Sequence, residues 1–245
     1  MDGREVAVKI VANNDYAMHE LAVLNKLPRH PNVVEMLGYR IQPDRVYIVL
    51  EYVEGLRLDK WIAESDAHTL HVLLQLAEAV RHLHTFGVVH RDIKPENAVL
   101  QRDGRVVLID FDLACDIDSA DPNSVCSLEG ARGTPLYIAP ELWRKGGIRS
   151  PEQLLAVDMF AFGVSAYQIV EADMPFASGD FQGDVEDVRD EIVASAPRPM
   201  RNKLWERFVL PLLSKDPAFR PNAEQVVQTL QDAKRPAAPT DPTAV

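Results

Sequence analysis

A short polar segment near the middle of the chain holds the residue types that catalysis most often uses. Residues 90–97 read His-Arg-Asp-Ile-Lys-Pro-Glu-Asn, and a further acidic residue, Asp110, ends a short apolar run. A carboxylate such as Asp92 can accept or orient a proton, and the ammonium group of Lys94 can offset negative charge. The side-chain oxygens of Asn97 and Asp110 are hard ligands of the kind that Mg²⁺ prefers. Proton transfer, charge neutralisation and binding of a hard cation are the chemistry available to such residues.

The same segment resembles the catalytic loop of the eukaryotic-type protein kinase family, serine/threonine branch. Other stretches match motifs of that family, in the family's order. They are Val6-Ala7-Val8-Lys9 (the lysine strand of the small lobe), Glu51-Tyr52-Val53 (the hinge), Leu108-Ile109-Asp110-Phe111 (the metal-binding turn), residues 133–141 (the end of the activation segment), and residues 158–163 and 216–221 (anchors of the large lobe). One such motif would be weak evidence, but this many in order, from residue 6 to about residue 230, strongly indicate the fold.

The resemblance implies a role for each polar residue in transfer of the γ-phosphate of ATP, a reaction that relies on positioning and charge neutralisation. Asp92 is expected to act as the base that accepts or orients the proton of the attacking hydroxyl. Lys94 is expected to offset charge on the transferring phosphate. Asn97 and Asp110 are expected to hold Mg²⁺, which favours oxygen ligands.

The resemblance also implies a nucleotide site in the small lobe and the hinge. Lys9 is expected to contact the α- and β-phosphates while it pairs with Glu20 on the following helix. The other predicted members of the nucleotide site are Ala7 and Val99, which would enclose the adenine, and Glu51 and Val53, whose backbone groups would bond its edge.

Structural roles are predicted for other charged residues of the motifs. Asp158, in an apolar helix, is expected to bond the backbone of the catalytic loop, so that its burial is compensated. Glu141 and Arg220 are expected to form a buried ion pair that fixes the activation segment, which we define as residues 110–141.

Phosphorylation of the activation segment is a further expectation from the resemblance. Arg91 is the residue that in the family pairs with a phosphate of this segment, and such a charge-assisted contact can order a loop. Ser124 and Ser127 are the candidate acceptors of that phosphate, and Glu129 is a candidate partial substitute for it.

The sequence departs from the family pattern at two places that bear on nucleotide binding. The chain begins at the lysine strand, so the two preceding strands and their Gly-rich loop are expected to be missing or to be encoded upstream. The metal-binding triplet is Asp110-Phe111-Asp112, where the family usually has Gly third. Glycine reaches backbone conformations that strain other residues, although Asp tolerates them better than most.

Periodicity predicts the elements that must position these residues. Residues 5–11 indicate a strand, Asp15 is a candidate cap for a short helix, and residues 33–41 and 46–53 indicate adjacent antiparallel strands. After Gly55 the pattern becomes mainly helical, with a long helix near residues 70–83 and a last helix that begins with the capping-box pair Asn222 and Gln225. Residues 114–140 have no periodicity and are predicted to form a long functional loop.

We therefore predict an α+β fold with two lobes, a small β-rich lobe over residues 1–53 and a larger helical lobe over residues 54–235. Residues 236–245 are rich in Pro and are predicted to be a disordered tail. The expected activity is that of a serine/threonine protein kinase, with ATP and a protein hydroxyl as reactants and Mg²⁺ as the cofactor. Two alternatives stay open: a pseudokinase scaffold, because the Gly-rich loop is missing, and a kinase of small molecules, which the segment 133–141 disfavours.

Composition narrows the partners and the location. The formal net charge of −11 argues against a protein that grips nucleic acid by bulk charge. The longest uncharged run, residues 159–170, is too short to span a bilayer, and the first ten residues contain no apolar core of the kind expected in a signal peptide. Cys115 and Cys126 fit neither a zinc site nor a disulfide framework. We therefore expect reduced cysteines in an intracellular, cytoplasmic protein that binds neither nucleic acid nor membranes.

Overall fold

An antiparallel sheet with one helix beside it forms the small lobe in the computed structural model. The structure describes residues 3, 5–119, 126, 132–144, 146, 148, 150–176 and 184–235. The strands β1 (Val6–Ala12), β2 (Met36–Ile41) and β3 (Arg45–Glu51) lie in the order β1-β3-β2, and both pairings are antiparallel. Val46 and Ile48 of the central strand are fully buried. The predicted antiparallel pairing of the second and third strands is confirmed.

Helix α1 (Asp15–Lys26) carries an acidic residue into the space beside this sheet. Its N-cap is Asn14, whose side chain accepts a hydrogen bond from the Ala17 N–H, so the predicted cap at Asp15 is wrong by one residue. Both residue types cap helices well, and the extended backbone of Asn14 decides between them. Leu21 and Leu24 are buried on the inner side together with Glu20. The helix therefore presents one carboxylate toward the strands.

The large lobe is built around two long helices with shorter ones against them. Its helices are α2 (Asp66–Thr85), α3 (Pro151–Glu171), α4 (Val185–Ala194), α5 (Lys203–Leu212) and α6 (Ala223–Lys234). The predicted capping box at the start of α6 is present. By length and composition, residues 153–171 of α3 would pass as a membrane span, but two-thirds of that stretch is buried inside the fold (67%). Helix α3 also holds the fully buried Asp158, Phe160 and Phe162, as a core helix does.

Short strands fix the loops that carry the polar motif residues. Strands β4 (Leu56–Arg57), β6 (Ala98–Leu100) and β7 (Val106–Leu108) form one sheet, and β5 (Val88–Val89) pairs with β8 (Cys115–Asp116). The catalytic loop therefore runs between β5 and β6, and the Asp110 turn runs between β7 and β8. The Ile109 N–H donates to the Asn97 carbonyl at 2.8 Å and joins the two loops.

The two-lobed α+β fold predicted from the sequence is confirmed, with an antiparallel sheet in the small lobe and a helical large lobe. The proposed boundary near residue 53 stays a prediction, although β3 ends at Glu51 and the next helix of the large lobe follows soon after. The predicted tail, residues 236–245, lies outside the described residues.

A disulfide bond between Cys115 and Cys126 corrects the prediction of two reduced cysteines. Their Cα atoms lie 5.3 Å apart, and the bond ties strand β8 to a point eleven residues further along the activation segment. The spacing gave no sign of this pairing, because a single pair of cysteines has no framework pattern. The pairing depends on where the fold places Cys126 relative to strand β8, which the sequence could not show.

We expect reduction of this bond to destabilise the protein. A cross-link restricts the unfolded chain, and a loop of this length corresponds to about 2–3 kcal/mol of unfolding free energy. Thermal melting with and without dithiothreitol measures the difference, and a Cys115→Ser/Cys126→Ser double variant, which should not respond to the reductant, is the control. Identical wild-type melting curves under both conditions, or free thiols in the unreduced protein, would contradict the bond.

Candidate active site

The backbone of the catalytic loop is held by a buried carboxylate from helix α3. Asp158 accepts hydrogen bonds from the backbone N–H groups of His90 and Arg91, both at 2.8 Å, and its side chain is fully buried. Arg91 has a left-handed backbone, with φ of 64°. Residues other than glycine seldom adopt that conformation, and here the two bonds to Asp158 support it. The predicted structural role of Asp158 is confirmed.

Asp92 lies at the centre of a dense hydrogen-bond network. Its Oδ2 atom accepts from Lys94 Nζ at 2.6 Å and from Asn97 Nδ2 at 3.0 Å. Its Oδ1 atom accepts from the Thr134 N–H at 3.0 Å and from Thr134 Oγ1 at 2.7 Å. Burial alone would raise the pKa of Asp92, but the hydrogen bonds from Lys94 and Thr134 outweigh it and lower that pKa. Asp92 is therefore a fixed, ionised acceptor at neutral pH.

Lys94 and Asn97 are oriented by the same network. Lys94 Nζ also donates to Thr134 Oγ1 at 2.6 Å, so the ammonium group bridges the catalytic loop and the activation segment. The Asn97 amide nitrogen donates to both the backbone oxygen and Oδ2 of Asp92. Because its NH₂ group points to Asp92, the side-chain oxygen of Asn97 points away from it, as a metal ligand must.

Thr134 is a site residue that the sequence analysis placed only inside a motif. Gly133 precedes it with φ of 126°, and a Cβ there would lie 2.7 Å from the Arg91 carbonyl oxygen. Only glycine permits this close approach of two backbones. The approach brings Thr134 to Asp92 across 42 residues of sequence. The Gly133-Thr134 dipeptide marks this position in the sequence. The contact between Thr134 and Asp92 is tertiary, so the sequence alone does not predict it.

Lys9 of strand β1 meets three carboxylates. Its Nζ atom donates to Glu20 Oε1 at 2.7 Å, lies 3.7 Å from Asp110 Oδ1, and forms an ion pair with Asp112. The predicted pairing of Lys9 with Glu20 is present. Burial raises the pKa of Glu20 despite the hydrogen bond from Lys9. The small lobe and the Asp110 turn are thus joined through one ammonium group.

The turn formed by residues 110–112 has a buried middle residue, Phe111, between two exposed aspartates. Phe111 is almost completely buried, and its ring lies 5.0 Å from that of His90 in an edge-on contact. Asp110 has φ of 65° and is half exposed. Asp112 is not among the described residues with left-handed backbone, so the Asp in place of the usual Gly causes no strain of that kind.

The donor set suits Mg²⁺, which prefers oxygen ligands and keeps part of its water shell. Asn97 and Asp110 lie on the two loops that the hydrogen bond between Ile109 and Asn97 joins. The exposed carboxylate of Asp110 leaves room for water ligands. The ligand roles of both residues stay predictions.

The residues predicted to enclose the adenine lie on both lobes. Val99 is buried in β6, Ala7 is half-buried in β1, and Val53 packs against the core just after β3. The N–H of Glu51 donates to the Glu35 carbonyl at 2.9 Å, so the hinge role of Glu51 would fall to its carbonyl oxygen. These four roles in nucleotide binding stay predictions.

Arg91 is held within the protein rather than presented to solvent. Its Nε atom donates to the Leu113 carbonyl at 2.7 Å. Burial, together with the nearby charge of Arg132, lowers its pKa to about 10. The predicted phosphate acceptors Ser124 and Ser127, and Glu129, lie outside the described residues, so the predicted phosphate contact stays a prediction.

Glu141 and Arg220 form the predicted ion pair. Two parallel hydrogen bonds join the guanidinium and carboxylate groups at 2.6 and 2.7 Å, and both side chains are buried. Arg220 also donates to the carbonyl oxygens of Ala156 and Ser214 and lies over the Phe160 ring. The pair therefore ties the end of the activation segment to helix α3.

Comparison with known proteins agrees with this geometry. The family model described as "Protein kinase domain" matches residues 1–230. The chain is 33% identical over 193 residues to "CBL-interacting serine/threonine-protein kinase 24" of Arabidopsis thaliana. The alignment covers 74% of this chain and 41% of the plant protein. It is also 33% identical over 218 residues to "Serine/threonine-protein kinase H1" of Homo sapiens. That alignment covers 85% of this chain and 49% of the human protein. The chain thus spans less than half the length of either relative.

Proposed function

Because the chain belongs to the protein kinase family, we propose that it transfers the γ-phosphate of ATP to serine or threonine hydroxyls of proteins. The observation that carries the proposal is the convergence of Lys94, Asn97 and Thr134 on the Asp92 carboxylate. The two relatives described above are both named serine/threonine-protein kinases, which supports the choice of hydroxyl.

The residues of the network divide the work of phosphoryl transfer. Asp92 accepts or orients the proton of the incoming hydroxyl. Lys94 offsets the negative charge that develops on the transferring group. Asn97 and Asp110 would hold Mg²⁺, which would supply positive charge to offset that of the phosphate oxygens. Lys9, fixed by Glu20, binds the phosphates further from the hydroxyl.

The test is incubation of the chain with radiolabelled ATP, Mg²⁺ and a generic basic protein, followed by identification of the phosphorylated amino acid. Phosphoserine or phosphothreonine would support the proposal. Nucleotide binding without any transfer would favour the pseudokinase alternative. Consumption of ATP without label in protein, but with label in a small hydroxylated acceptor, would favour the small-molecule alternative.

We expect Asp110→Asn to remove the Mg²⁺-dependent part of the stabilisation by ATP. Asn tolerates the left-handed backbone at this position, so the fold should survive, while the anionic ligand is lost. Binding to the native state at a ligand concentration of 100 times Kd stabilises a protein by about 2.7 kcal/mol. Thermal melting with ATP, with and without Mg²⁺, measures the effect. The control is Asp103→Asn, which lies in the exposed turn between β6 and β7. An undiminished Mg²⁺-dependent shift in Asp110→Asn would contradict the ligand role.

A further inference from the structure

The carboxylate of Asp112 lies where the phosphates of a nucleotide are expected to meet Lys9. It forms an ion pair with Lys9 Nζ, on the same ammonium group that donates to Glu20 at 2.7 Å and lies 3.7 Å from Asp110. An ammonium group has three N–H donors and no acceptor. Glu20 and Asp112 take two of these donors and Asp110 lies beside the third, so a phosphate oxygen that approaches Lys9 must compete with a carboxylate.

We propose that Asp112 is an internal competitor of the nucleotide phosphates: it binds Lys9 in the free protein and must leave when a nucleotide enters. This inference rests on the proposed binding of ATP. It assigns Asp112 a role in setting nucleotide affinity, and no role in the transfer of the phosphoryl group.

The burial of Glu20 and Asp112 shows which of these two carboxylates can leave Lys9. Glu20 is buried on α1, with its side chain only 5% exposed, so separation from Lys9 would leave a buried charge. The Asp112 side chain is 54% exposed and can rotate into water at little cost. Exchange of Asp112 for a phosphate therefore keeps the pair of Lys9 and Glu20 intact.

The turn that carries Asp112 stays in place during such an exchange. Phe111 is buried beside His90 and fixes the backbone on one side of Asp112. The backbone N–H of Asp112 faces Asp110 Oδ1 at 3.4 Å, a long and weak contact. Only the Asp112 side chain has to move, so the competition needs no change of fold.

The local charge ties this exchange to a divalent cation. Glu20, Asp110 and Asp112 bring ligand oxygens within 4.8 Å of one another, so three carboxylates face the single charge of Lys9. This negative excess repels a metal-free triphosphate. A divalent cation held at Asp110 would offset this excess, so the repulsion would be weaker for a magnesium complex. Removal of the Asp112 charge should therefore help metal-free nucleotide more than it helps the magnesium complex.

The experiment compares the wild-type chain with Asp112→Asn, Asp112→Gly and the control Asp44→Asn, which removes an exposed charge in the β2–β3 turn. Isothermal titration gives Kd for a non-hydrolysable ATP analogue, with Mg²⁺ and with a chelator, and for adenosine. We expect both Asp112 variants to bind the analogue with Mg²⁺ about 3- to 10-fold more tightly, the range of an exposed ion pair and its removed repulsion. The gain should be larger with chelator, while adenosine affinity and the control should not change.

Each outcome decides the inference. Equal affinities of wild type and both variants for the analogue would overturn it and leave an ordinary surface ion pair. An equal gain for adenosine would also overturn it, since the effect would then not act at the phosphates. Binding by the variants alone would support it in its strongest form. Failure of every chain to bind the analogue would overturn both this inference and ATP binding, whereas tight binding without phosphoryl transfer would overturn the proposed kinase activity alone.

Discussion

Replacement of Asp92 by Asn should lower the rate of phosphoryl transfer by about 10²–10⁴-fold, the usual contribution of a positioned proton acceptor. The amide keeps the size of the side chain and one acceptor oxygen, which can still accept from Thr134. It loses the anionic oxygen that meets Lys94 and Asn97, and with it the ability to take a proton. Nucleotide affinity should change little, because Asp92 acts on the hydroxyl and not on ATP.

Rates are measured with radiolabelled ATP and a basic protein, and Kd for ATP is measured on the same preparations. Asp103→Asn is the matched control, since it removes an Asp carboxylate from an exposed turn outside the network. Asp92→Glu is informative as a second variant, because it keeps the charge and moves it by one methylene group. Wild-type transfer by Asp92→Asn would refute the assignment of the base.

The residues of the catalytic loop were predictable because they are local in the sequence. Residues 90–97 lie between two short strands, so eight consecutive positions carry most of the polar groups of the site. The fold was predicted from the family resemblance, which rests on many motifs in a fixed order along the chain. Contacts between distant motifs, such as Lys9 with Glu20, followed from the resemblance and not from periodicity.

The contacts that the sequence could not supply are tertiary or weakly patterned. Thr134 reaches Asp92, and Asp112 reaches Lys9, only because folding closes loops of unknown geometry. The disulfide depends on the position that the fold gives Cys126 beside Cys115. Helix α4 was not predicted, since Val188 and Ile192 are its buried residues and two apolar positions give almost no period.

Replacement of Arg220 by Met should lower the free energy of unfolding by about 3–5 kcal/mol, because it leaves the Glu141 carboxylate buried without its partner. For a chain of this size each kcal/mol corresponds to about 2–4 °C, so the melting temperature should fall by roughly 10 °C. Met fills much of the space of the arginine stem and can still contact Phe160. Loss of charge, and not a cavity, is then the main cause.

Thermal melting of Arg220→Met, of Arg198→Met and of a Glu141→Leu/Arg220→Met double variant separates the causes. Arg198 is the matched control, since its ion pair with Asp173 is half exposed and should contribute about 1 kcal/mol or less. A wild-type melting temperature for Arg220→Met would show that the pair has no net role in stability.

The double variant should recover part of the loss and not all of it. Removal of both charges relieves the unpaired carboxylate, and well-packed apolar pairs can equal buried ion pairs in stability. However, Arg220 also donates to the carbonyl oxygens of Ala156 and Ser214, at 2.8 and 2.9 Å, and no methionine replaces those bonds. Hydrogen bonds of this kind, with a charged donor, contribute about 1.5–3 kcal/mol each. The double variant should therefore melt between wild type and Arg220→Met, and a melting temperature below that of Arg220→Met would mean that Glu141 stabilises the fold without its partner.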